Sequence, residues 1–169
     1  MKPKDGDYAP YYSSYINFYE DENILQVLED QVKSSELFFK NVTEEQENYS
    51  YAKDKWTVKE VLGHMIDVER IMAYRALSFA RGEKQSLPGF EQDNYVAETD
   101  FTKRTLNDLF GEFKAVRISN IILFKSFDEE VLNRRGNASS VDITVLALIY
   151  IIAGHERHHI QILKERYMR

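Results

Sequence analysis

Gly154-His155-Glu156-Arg157-His158-His159 is the stretch that decides the fold. It lies inside an apolar periodic run that predicts one helix from about Ile143 to Arg166, with Asp142 as its cap. Residues four apart share a helix face, so His155 and His159 present their imidazoles to a common point. Two imidazoles make an incomplete site, because a catalytic metal usually takes three protein ligands and keeps one position open. The chain has four histidines, and the one outside this stretch is His64. It has no cysteine, which excludes a thiol nucleophile, a Cys-ligated metal and a redox dithiol.

His64 belongs to a second periodic run. Thr57-Val58-Lys59-Glu60 forms a capping box, and the helix it opens runs to about Arg81, with Gly82 at its end. At ~1.5 Å rise per residue, His64 lies about 10 Å beyond Thr57, and His155 and His159 lie about 16 and 10 Å in from Arg166. The three histidines therefore share one level if the two helices are antiparallel. A third helix, from about Thr105 to Lys125, joins the last through a turn at 133–141 and so runs antiparallel to it. The second and third helices are then parallel, which demands a long crossover. The stretch from Glu83 to Thr102 supplies it. With a first helix from about Asn23 to Lys40 and a polar loop at 41–55, the expectation is an all-α, four-helix bundle running up-down-down-up. The whole chain, 1–169, reads as a single domain.

Gly63-His64 and Gly154-His155 place a glycine before a histidine in both helices. A mid-helix glycine costs ~1 kcal/mol relative to alanine, so each needs a reason. Close approach of two helices around a small ion is one; a tight crossing without metal is the other. His155-Glu156-x-x-His159 also matches the zincin pattern, but only ten residues follow His159 and no strand is evident to hold a peptide. A di-iron carboxylate site needs a second Glu-x-x-His, and none exists, since the residue three after Glu60 is Gly63.

The net charge of −6 argues against nucleic-acid binding, and 43% hydrophobic with 30% charged residues fits a folded, non-membrane chain. The polar N-terminus lacks a signal-peptide core, and the most apolar run, Val145 to Ala153, is far shorter than the ~20 residues of a membrane helix. A cytoplasmic location is the resulting expectation. Residues 1–20 carry Tyr8, Tyr11, Tyr12, Tyr15 and Tyr19, which read as an arm packed on the domain or as a flap over a pocket.

The sequence resembles the DinB/YfiT-like superfamily of metal-binding four-helix bundles. Trp56-Thr57, Gly63-His64, Leu87-Pro88-Gly89-Phe90 and Gly154-His155-Glu156-Arg157-His158-His159 carry the resemblance, which covers about residues 20 to 167. It implies a divalent ion, nickel or zinc, on His64, His155 and His159, and a homodimer. Relatives include transferases that use a low-molecular-weight thiol and proteins described as metal-dependent hydrolases. Around that triad, Asp67 lies one turn from His64 and is a candidate to orient its ring; a surface carboxylate is the alternative. Glu156 and His158 are candidate proton-transfer groups, Glu156 otherwise being a solvated charge. Arg70 and Arg75 read as interhelical ion pairs rather than substrate clamps. Two functions stay open: an enzyme acting on a small molecule through an open coordination position, or a non-catalytic, metal-stabilised or stress-related binding protein. A solvent-reachable cleft at the histidines discriminates them.

Overall fold

The computed structural model describes residues 1–168. Four long helices form the bundle: α2 (Ile24–Lys40), α4 (Val58–Ala80), α6 (Leu106–Lys125) and α8 (Val145–Arg166). Short elements fill the connections: α1 (Ser13–Ile16), α3 (Glu44–Glu47), α5 (Gln92–Ala97), α7 (Glu129–Leu132), and an antiparallel hairpin of β1 (Arg135–Ala138) and β2 (Val141–Thr144). Single 3-10 turns occupy Pro10–Tyr12 and Phe101–Lys103.

Side-chain pairs fix the helix directions. Lys125 and Lys114 of α6 reach Glu29 and Glu36 of α2, so α2 and α6 are antiparallel. Gln31 and Ser35 of α2 reach Ala153 and Glu156 of α8, so these two run parallel. Tyr167, just past the end of α8, donates to the Trp56 carbonyl, just before the start of α4, so α4 and α8 are antiparallel, and His64, one third along α4, meets His155 at the middle of α8. The order is up-down-down-up, with the crossover between α4 and α6, as the histidine levels required.

Every residue of α8 from Val145 to Glu156 is buried. A helix that is apolar all round needs cover on every side. The N-terminal arm supplies the side the bundle leaves open: Tyr12, Ile16 and Tyr19 are buried against this core. Ile16 is fully enclosed, worth about 1.5–3 kcal/mol by itself. Tyr19 adds a hydroxyl bond to the Ala153 carbonyl at 3.1 Å, and Arg157 donates to the Phe18 carbonyl. The arm is thus a packed fifth layer.

Three local expectations differ from the structure. The 41–55 loop contains α3, closed by a capping box between Thr43 and Gln46, and Glu47 pairs with buried Lys59 at 2.8 Å. The 133–141 turn is a hairpin whose two turn residues, Ser139 (φ 53°) and Ser140 (φ 63°), take the left-handed pair that a tight hairpin requires. Neither is the Asn or Gly that normally signals such a turn. Asp142 therefore lies in β2, where it accepts from Asn137, and Thr144 caps α8 through the Ala147 amide. The crossover hangs on this hairpin: the Leu87 amide donates to Asn137 and the Ser139 amide donates to the Leu87 carbonyl.

Candidate metal centre

His64 projects from α4 toward α8, where His155 and His159 stand one turn apart. The Nε2 atoms of His64 and His155 are 3.0 Å apart, and those of His159 and His155 are 3.1 Å apart. All three histidines offer a ring nitrogen within 4.8 Å of one another. His64 and His155 are buried, and His159 is half-buried. Trp56 packs its ring 4.7 Å from that of His64, and Tyr15 of the arm sets its ring edge-on to His155.

Burial strips the proton from this cluster. It lowers His64 to about 4; burial, then the charges of His64 and His158, lowers His159 to about 3. His155 is held well below its ordinary value by burial, and by His159 and His64 next to it. Neutral imidazoles have one N–H each. His155 Nε2 offers either one N–H or one in-plane lone pair, so it can make one well-directed hydrogen bond but not two to its two close neighbours. A cation at the shared point relieves this. Zn–N bonds of about 2.0–2.1 Å at tetrahedral angles place ligand nitrogens about 3.3 Å apart. The two spacings at His155 are a few tenths of an ångström shorter, and all three nitrogens lie within 4.8 Å of one another, so the donor set fits such an ion with small adjustments.

The glycines before the histidines serve other neighbours than the α4–α8 contact. A Cβ at Gly63 would lie 2.1 Å from the Phe101 ring in the crossover, and one at Gly154 would lie 2.3 Å from the Tyr15 carbonyl oxygen. Phe101 can rotate; the Tyr15 backbone cannot without moving the arm. Gly154→Ala is accordingly expected to destabilise by about 1–3 kcal/mol and to expose residues 1–20 to limited proteolysis. Unchanged protection of the arm in that variant refutes the packing described here.

The remaining residues singled out from the sequence separate. His158 stands outside the three-histidine group, half-buried, with its ring near Tyr15 and His159. Glu156 is neither solvated nor beside the histidine nitrogens. It is 2% exposed and turned toward α2 and α6, where Ser35 donates to it and Arg117 Nη1 approaches its Oε2 at 2.6 Å. Asp67 is half-buried; burial raises its pKa, as does the charge of Glu112, against the opposing Arg70. Arg70 does form an interhelical pair, with Glu112 at 2.9 Å. Arg75 forms none.

Two cavities of about 450 Å³ reach the cluster. One, beside Trp56, Tyr51 and Tyr167, ends at His159. The other, between the arm, the crossover and α4, ends at His155. Asp93 of α5 lines both. Sequence spacing gave no sign of it, because it comes from the crossover rather than from a periodic helix.

The chain superposes on YfiT from Bacillus subtilis, described as a probable metal-dependent hydrolase with an unusual four-helix bundle topology, with a TM-score of 0.79 at 16% identity, covering 100% of this chain and 93% of that one. A DinB-like protein of Bacillus subtilis, YjoA, matches with a TM-score of 0.61 at 16% identity, covering 87% of this chain and 91% of that one. At such identities the likeness establishes the fold alone. A search of curated proteins finds no match. The DinB superfamily model matches residues 28–163, and by that match, over most of its length, the chain belongs to the DinB superfamily.

Proposed function

We propose that this protein binds one divalent metal ion through His64, His155 and His159 and uses it to act on a small molecule. The convergence of three imidazoles, with His155 Nε2 at 3.0 and 3.1 Å from those of His64 and His159 and all three offering a ring nitrogen within 4.8 Å of one another, is the observation that carries the reading. When bound, a nickel or zinc ion on three imidazoles supplies Lewis acidity at an open position, enough to lower the pKa of water or of a small thiol. Hydrolysis, as named for YfiT, and transfer to a low-molecular-weight thiol are the two reaction classes this supports. Any thiol comes from a cosubstrate, since the chain has no cysteine. A homodimer in the cytoplasm is the companion expectation.

The protein's own groups do the rest. Trp56 and Tyr15 hold the rings of His64 and His155 from outside, which fixes where their nitrogens point. His158, at the half-open edge and with its pKa lowered by burial, is neutral near pH 7 and placed to accept a proton. Glu156 is withdrawn from that role by Arg117 and Ser35. The two cavities that end on ligand histidines favour the enzymatic reading, because a purely structural ion is closed in by its ligands.

Elemental analysis of the purified protein tests the metal: about one divalent ion per chain is expected. A screen of the loaded protein against ester and amide substrates, then against electrophiles with small thiols, tests the chemistry. The pH dependence follows from the low histidine pKa values. An unfolded histidine has a pKa near 6.5, and the folded values for His64 and His159 lie below it. Below about 6.5 the unfolded state therefore takes up protons that the folded state refuses. Metal-free protein should be stable above that pH and lose about 1.4 kcal/mol per pH unit for each such imidazole as pH falls toward 4. Metal affinity should weaken over the same window, since protons compete for the ring nitrogens. Affinity that is flat from pH 8 to 5 rules out histidine ligation.

A further inference from the structure

The buried charged side chains, apart from histidine, are Lys59, Glu69, Arg75, Arg117 and Glu156. Lys59 pairs with Glu47, and Arg117 pairs with Glu69 and Glu156. Arg75, 3% exposed, belongs to none of the ion pairs among the described residues. Its Nη2 donates to the Pro88 carbonyl and to Ser139 Oγ, both at 2.9 Å, and its Nη1 meets only the Met72 sulfur at 3.7 Å. A guanidinium has five N–H donors, and these neutral acceptors leave its charge uncompensated. Burying an unpaired cation is costly, and the residue is held there from three directions: α4, the crossover and the strained hairpin turn. Ser139 keeps φ at 53° while presenting its hydroxyl to Arg75.

Arg75 also lines the cavity that ends at His155. The wall between them is apolar, built from Val68, Met72 and Ile151. His64 and Arg75 are eleven residues apart on α4, about 16 Å of rise. Helical side chains lean toward the N-terminus, so the long Arg75 side chain shortens that separation toward the histidines. The acidic residues of the cavity, Glu91 and Asp93, are exposed at its mouth, on the crossover. The enclosed positive charge and the acidic rim together suit one compact anionic group on an otherwise uncharged molecule, and disfavour polyanions.

We propose that Arg75, with Ser139, anchors a carboxylate of the small molecule handled at the histidine cluster, holding it along the apolar wall with its other end toward His155. This rests on the metal-dependent reading for what happens at that other end, but the anion subsite itself does not depend on a metal. Arg75 is then a binding residue rather than the interhelical strut that its place in α4 suggested.

The test uses hexanoate, hexanol and hexylammonium as probes of one length, with binding read by titration calorimetry on the full chain. Wild-type protein should bind hexanoate about tenfold or more tighter than hexanol, and hexylammonium least. Arg75→Gln should reduce hexanoate to the level of hexanol with metal content unchanged, and Arg75→Lys should keep part of the preference. His64→Ala separates this proposal from the metal reading. If it empties the metal and leaves hexanoate binding intact, the carboxylate sits at Arg75. If hexanoate binding disappears with the metal, the carboxylate was a metal ligand and the proposal is overturned. Equal affinities for hexanoate and hexanol in the wild-type chain overturn it without any variant, so poor folding of Arg75→Gln leaves the question decidable.

Discussion

Arg117→Met is expected to lower folding stability by about 3–5 kcal/mol, a large part of what a domain of this size possesses. Arg117 is fully enclosed at the centre of the bundle. Its Nε and Nη2 grip the two oxygens of Glu69 at 2.7 and 2.8 Å, its Nη1 reaches Glu156, and a weaker bond at 3.3 Å goes to Gln31. One residue from α6 thereby ties α4, α8 and α2. Asn120 and Ser35 complete the shell, donating to Glu69 and Glu156. Methionine fills the volume but leaves two carboxylates buried without a cation. Urea titration measures the loss. Replacing Glu69 and Glu156 with leucine in the same protein should recover most of it, because burying apolar groups of similar size costs little compared with stranding charges. A loss below 1 kcal/mol for Arg117→Met shows that the two acids are held neutral or hydrated, and refutes the paired network.

The second large effect is on metal. His64→Ala removes the only ligand contributed by α4, leaving two imidazoles one helical turn apart. Two ligands do not close a site around an ion that wants at least three from the protein. Affinity should fall by at least about a hundredfold, taking the usual effect of losing even an orienting partner as the lower bound. Purified His64→Ala protein should carry almost no divalent ion, whereas Asp67→Asn keeps all three ligands and loses no more than about ten- to a hundredfold. Full metal retention in His64→Ala removes the centre proposed here. The same variant deletes a buried neutral ring, so its apo form should show a flatter loss of stability between pH 6.5 and 4 than apo wild type.

The bundle and the three-histidine convergence were legible in the sequence because both depend on strong periodic signals. A capping box at Thr57, histidines four apart, and a crossover of the right length each constrain backbone direction. The structure agrees wherever those constraints operate. What escaped has a common physical cause. The hairpin uses serines in left-handed positions where glycine or asparagine would have signalled a turn, and its register is fixed by tertiary contacts to Leu87. The partners of Gly63 and Gly154 are segments distant in sequence, at Phe101 and Tyr15, so spacing suggested an interhelix contact instead. Glu156 follows His155 and so lies about 100° around the helix from it, but its surroundings, a buried arginine from α6, depend on packing that spacing does not show. Arg70 and Arg75 look alike in sequence, and only the structure separates the paired one from the unpaired one.

The order of the helices also sets a timetable. His64 and His155 are separated by 91 residues, and two of the three ligands lie in the last helix. Contacts that far apart form late, since the intervening chain must be closed before they return any stability. On the ribosome, α4 is finished long before α8 has been made, so the three histidines cannot meet until α8 has been added. Helix α8, by contrast, carries two imidazoles on one face as soon as it forms. Under the proposed function, metal capture is thus a late event in folding, with α8 as the carrier and α4 as the lock.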